Sequence, residues 1–151
     1  MQAIEAGETP PPNATVLDHG DQTVLPGLID ALLPVNGWHE HDPMTWLQEG
    51  VPLATARATA GLRTLVDSGF TTIRDVAASP GWVKAAVEEG SVPGPRSYTS
   101  QRLISQTPGH GVIHVLEHGW VADSQDWVAI LAGGAYEFRR KTRKLVRKGS
   151  T

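Results

Sequence analysis

The chain has 151 residues, no cysteine, 40% apolar and 19% charged residues, and a formal net charge of −3. This excludes disulfides and thiolate metal sites, and no apolar run approaches the roughly 18 residues of a membrane helix, so a soluble cytoplasmic domain is expected. The charge is uneven: residues 137–148 hold seven of the thirteen Lys and Arg, whereas the first 136 hold six basic and fifteen acidic residues, a net of −9.

Met1 to Asn13 is rich in Pro and Gly and reads as a lead-in, without the basic and apolar regions of a signal peptide. Ala14–Leu17 and Thr23–Ile29 are predicted strands. Pro34 to Pro52 reads as a long loop with Trp38 and Trp46. Over Leu53–Ser68, Ala54, Ala58, Leu62, Leu65 and Val66 recur at helical spacing, and Gly69 is placed to end the helix. Thr71–Asp75 is the next strand. Ser79 suits an N-cap and Pro80 the first helical position, and Gly90 closes a short helix through Trp82, Val83, Ala86 and Val87. Arg96–Thr99 is a strand, and residues 101–134 read as irregular. Ala135–Lys148 is an amphipathic helix with Ala135, Phe138, Thr142, Leu145 and Val146 on one face. The alternation βαβαβ favours parallel pairing, hence an α/β fold.

Four segments carry a resemblance. Leu25-Pro26-Gly27-Leu28-Ile29-Asp30 ends an apolar run on an acid. Thr71-Thr72-Ile73-Arg74-Asp75, Val92-Pro93-Gly94-Pro95-Arg96 and Ser105-Gln106-Thr107-Pro108-Gly109-His110-Gly111 follow it. In order and approximate spacing they resemble the first three strands and connecting loops of the amidohydrolase superfamily, most of all its imidazolonepropionase-like and Xaa-Pro dipeptidase-like branch. The resemblance covers about Val16 to Gly149. It implies a partial (β/α) TIM-barrel-like fragment over residues 23–151. Residues 1–22 would be the lead-in and a remnant β segment of the flanking sandwich. A whole barrel needs roughly 200 to 250 residues, so three or four β/α units are expected here.

The same resemblance puts the metal chemistry in question. The family binds a divalent metal such as zinc through a His-x-His after the first strand and through a lysine, two histidines and an aspartate on later strands. Here the first pair reads Leu32 and Pro34, which offer no donor atom. No metal cofactor is therefore expected for this chain. Asp75 and Arg74, at the end of a strand, and His110, between two glycines, are the candidate relics of substrate binding. The ordinary alternatives are a turn cap or an Arg74 ion pair for Asp75, and a plain loop position for His110.

Two histidine sets outside the motifs invite a metal reading. His39 and His41 form an H-x-H whose rings share one side of an extended segment. His110, His114 and His118 have helical spacing, but the surrounding Pro108, Gly109, Gly111 and Gly119 oppose a helix. The basic C-terminal helix has no interleaved aromatics for base stacking and reads as a solvated outer face, so neither nucleic acid nor membrane is expected as a partner. The expected function is that of a family whose members hydrolyse non-peptide or dipeptide C–N bonds, inactive in this chain. The alternatives are a self-association or interaction module, binding a second copy or a full-length relative, and a hydrolase with a metal site relocated to His39 and His41. Val24, Leu28, Ile73 and Val76 are expected near the surface that would associate.

Overall fold

The computed structural model describes residues 9–35, 50–77, 81–107, 109–112 and 129–149. Strand β1 spans Leu28–Leu33 and is followed by helix α1, Gly50–Asp67. Strand β2, Phe70–Asp75, leads to helix α2, Gly81–Glu88, and then to strand β3, Arg96–Thr99. Two three-residue strands follow, β4 at Leu103–Ser105 and β5 at Ala129–Leu131, before helix α3 at Gly134–Arg147.

The first three strands form one parallel sheet in the order β1-β2-β3, and β4 pairs with β5 in a second parallel pair. This is the α/β arrangement expected from the alternation of elements, and it agrees with the partial barrel that the resemblance implies. The pairing of β2 with β3 is regular: Thr72, Ile73, Arg74 and Asp75 lie opposite Arg96, Ser97, Tyr98 and Thr99. The pairing of β1 with β2 is interrupted, with irregularities between Leu28 and Ile29 and between Asp30 and Leu33.

Side chains alternate across a strand, and the burial follows that rule. Ile73, Asp75, Ser97 and Thr99 are buried, whereas Arg74, Arg96 and Tyr98 are exposed. The core lies on the Ile73 side. Ala58 and Leu62 of α1, Val83 of α2 and Val35 close over Ile73, with Leu33, Leu65, Val87 and Val92 at the margin. Ala54, Ala58 and Leu62 recur every fourth residue, which puts them on one stripe of α1. Full burial of Leu62 or Ile73 contributes about 1.5–3 kcal/mol each.

Helix α1 ends where the sequence indicates. Gly69 adopts φ +91° and its N–H bonds the Val66 carbonyl; Gly90 does the same for α2 at φ +83°, bonding Val87. Two expectations shift. Residues 14–17 are in no strand, and the strand predicted over Thr23–Ile29 begins at Leu28 and runs on to Leu33. Pro26 has no N–H to give a ladder, and the pairing with β2 starts where the Leu28 N–H reaches the Gly69 carbonyl at 2.9 Å. The stretch 101–134 is not wholly irregular, because it contains β4 and β5. Ser79 and Pro80 lie outside the described residues.

Helix α3 departs most from its pattern. Of the apolar face predicted for it, only Leu145 is buried; Phe138 is 36% and Val146 60% exposed. The N-terminal end of α3 is fixed by polar contacts instead. The Glu137 carboxylate accepts the Gly133 N–H at 2.6 Å, and Lys141 donates to the Leu131 carbonyl. At the other end Gln101 Nε2 donates to the Lys148 carbonyl at 2.6 Å.

Candidate functional site

Active sites of β/α folds are built where parallel strands end. Here the ends of β1, β2 and β3 converge on one carboxylate. Asp75 is the last residue of β2 and only 1% exposed. Its Oδ1 accepts the Val35 N–H at 3.1 Å and the Ala77 N–H at 3.3 Å, and its Oδ2 accepts the Thr99 hydroxyl at 3.3 Å. Thr99 Oγ1 in turn accepts the Gln101 N–H at 2.9 Å. The main chain adds two links: Val76 N–H to Leu33 at 3.3 Å, and Ser100 N–H to Asp75 at 3.0 Å. One buried acid thus ties together the exits of three strands.

This geometry fits the turn-cap reading of Asp75, through Ala77, and extends it to both neighbouring strands. Arg74 points to the other face, as the next residue on a strand must. Its Nη1 lies 3.5 Å from the Ala31 carbonyl. Arg74 also lines a cleft of about 330 Å³ together with Val76, Ser100, Arg102, Leu103, Ile104 and three residues of α3. His110 belongs to a different loop, after β4, and is exposed. That loop is organised by Ser105, whose Oγ accepts the Gly111 N–H at 3.0 Å. A Cβ at Gly111 would lie 2.6 Å from Leu103 and 2.7 Å from Ser105, so the glycine is what lets the turn close onto β4.

The motif glycines at the other strand entries have the same cause. A Cβ at Gly27 would overlap the Thr71 side chain, and one at Gly94 would meet Val87 at 3.0 Å and Leu62 at 3.3 Å. Sequence reasoning missed Thr99, Gln101 and Ser105. Thr99 was legible as a buried position from strand alternation. Gln101 was not, since it adopts φ +64°, a conformation rarely expected outside glycine.

A divalent metal needs several His, Asp or Glu donors converging on one point. Among the described residues no group of three such side chains is close enough to hold an ion. Leu32 and Pro34, at the family's ligand positions, carry no donor, and the Leu32 N–H is engaged by Asp30 Oδ1 at 2.9 Å. Asp75 has both carboxylate oxygens committed to N–H and O–H donors. The described residues therefore do not fit the family's metal. His39, His41, His114 and His118 lie outside the described residues.

No family model matches the chain. Ochratoxinase from Aspergillus niger is 30% identical over 150 residues, 91% of this chain and 31% of its own length. Among solved structures, a prolidase complexed with N-methylphosphonate-L-proline superposes with a TM-score of 0.79 at 29% identity, over 95% of this chain and 36% of the prolidase. An amidohydrolase superposes with a TM-score of 0.80 at 31% identity, again over 95% of this chain and 36% of its own. The chain thus spans about a third of the length of the relatives it matches. Four ordered motifs, the parallel β/α arrangement and these likenesses place the chain in the amidohydrolase superfamily.

Proposed function

We propose that this chain supplies the β1–β3 part of an amidohydrolase architecture and does not itself hydrolyse C–N bonds. The observation that carries the reading is the exit of β1. Metal-assisted hydrolysis needs an ion to lower the pKa of bound water and to polarise a carbonyl oxygen. Leu32 and Pro34 supply no ligand for it, and the buried acid beside them, Asp75, serves as a three-strand tie. The bond class of the parent activity, an amide or dipeptide C–N bond, is taken from the prolidase and amidohydrolase likenesses. The test is metal analysis of tag-free protein with hydrolysis assays on dipeptides, N-acyl amino acids and lactams in zinc, manganese or cobalt. No stoichiometric metal and no turnover above background are expected. Turnover abolished by His39→Ala or His41→Ala would establish a relocated metal site in its place.

A role in assembly accompanies this reading. A parallel sheet is normally covered on both faces, yet here Ile29 is 71%, Leu32 70% and Tyr98 44% exposed. A second copy or a longer relative that covers this surface is the partner class it fits; no nucleic acid or membrane is invoked. Sedimentation across a concentration series tests it, with self-association or capture of a relative's remaining β/α segment as the supporting results.

A further inference from the structure

We infer that Gln101 is a strained latch. Two hydrogen bonds hold it in a left-handed conformation, and while it is held it keeps the C-terminal end of α3 docked beside the exits of β2 and β3. The inference is independent of the assembly reading above.

Gln101 is buried, and at φ +64° it is the one non-glycine residue with a positive φ among the described residues. That region brings Cβ too close to the following carbonyl oxygen. A residue stays there only where its surroundings over-determine it. Two bonds do so here. The Gln101 main-chain N–H donates to Thr99 Oγ1 at 2.9 Å, and Nε2 donates to the Lys148 carbonyl at 2.6 Å. The first bond fixes the backbone from β3; the second fixes the side chain on the end of α3.

Each partner belongs to a larger set. The Thr99 hydroxyl donates to Asp75 Oδ2 at 3.3 Å, so the latch is continuous with the tie between the strand exits. Lys148 is the C-cap residue of α3, and its own N–H bonds the Leu145 carbonyl at 2.9 Å. Gly81, the first residue of α2, lies against the latch: a Cβ there would sit 3.4 Å from both Gln101 Nε2 and the Lys148 oxygen. Apolar packing contributes little to the docking of α3, because Leu145 is its one buried side chain. The polar latch therefore decides whether this end of the helix stays in place. The consequence falls on the cleft of about 330 Å³ that Arg74 enters. Arg102, Leu103 and Ile104, which follow Gln101, line one side of it, and Thr142, Leu145 and Val146 of α3 line the other. Loss of either bond lets Gln101 relax to a negative φ and withdraw from Lys148, which widens the cleft.

The test is amide exchange in the full 151-residue chain at neutral pH. Gln101→Glu keeps the shape of the side chain but puts an acceptor where Nε2 donated. Thr99→Val keeps the branched shape and removes the Oγ1 acceptor. Each is expected to lower protection of the amides of residues 145–149 roughly tenfold, the effect of one hydrogen bond, with the amides of α1 still protected. Releasing either bond frees the same residue, so the double variant is expected to lose no more than the larger single effect. Unchanged protection at residues 145–149, or effects that multiply in the double variant, would overturn the latch. Protection lost equally in α1 and α3 would overturn it as well, since a latch releases α3 alone.

Discussion

Asp75 is the residue on which the local architecture turns. A buried carboxylate that accepts three bonds from three segments leaves three donors unsatisfied when it is truncated, and each unmade bond to a charged group costs about 1.5–3 kcal/mol. Asp75→Ala is therefore expected to destabilise the fold by more than about 4 kcal/mol, read as a shift in urea midpoint. Asp75→Asn keeps an acceptor toward Val35 and Ala77 and should cost less than Asp75→Ala. Equal midpoints for wild type and Asp75→Ala would contradict the tie. From sequence, an acid at the end of an apolar strand was legible as a site candidate, since catalytic and capping acids occupy the same position. Which of the two it is depends on Val35 and Thr99, 40 and 24 residues away, and no local pattern carries that. Glu137 offers a second test at this scale. The Gly133 N–H, then Lys141 and Arg140, hold its carboxyl below the ordinary value near 4.5, against a small opposing effect of burial. A depressed acid contributes stability that is present above its unfolded value and lost as pH falls through its folded one. The α3 N-terminus should therefore loosen below about pH 4.5, visible in amide exchange at Gly133 and Gly134, and Glu137→Gln should remove that pH dependence.

At the scale of elements, helices and strands were legible where one side is buried and periodic. Helix α1 and strand β3 follow their patterns because Leu62 and Thr99 are each 1% exposed and packing enforces the period. Strand β1 was displaced and α3 lost most of its buried face because, among the described residues, each lacks cover on one side, so alternation has nothing to enforce it. The glycine of the first motif shows what register costs. Gly27 sits where β1 enters the sheet, and an added Cβ would collide with three atoms of Thr71. Gly27→Ala is expected to cost about 1–3 kcal/mol, the usual range for overpacking. Thr71→Gly in the same chain should recover much of that loss, since it removes all three atoms. A neutral Gly27→Ala would mean that β1 is free to shift away from β2. The clamp from Gln101 to Lys148 is a second element-level device: Gln101→Ala should raise amide exchange at the C-terminal end of α3 while leaving β1–β3 protected.

For the molecule as a whole, the sequence indicated incomplete burial but misplaced part of it. Val24 and Leu28 are 72% and 53% exposed as expected, whereas Ile73 is fully buried beneath α1 and α2. The error has a simple origin, since a parallel strand has two apolar-compatible faces and sequence does not say which one the helices take. Among the described residues, ten apolar side chains are buried and five of these are alanines. Such a core buries little area, so Leu62→Ala, at about 2–5 kcal/mol, should consume much of the 5–15 kcal/mol typical of a domain. Val24, Leu25, Ile29 and Leu32 are exposed apolar surface that the association proposed above would bury. Folding and association are then linked by mass action: a partner present at 100 times its dissociation constant adds about 2.7 kcal/mol. The melting temperature should therefore climb as protein concentration is raised across two decades. A concentration-independent, cooperative melt would show that the ten-residue core is sufficient alone and that the exposed apolar surface contributes nothing to the stability of this chain.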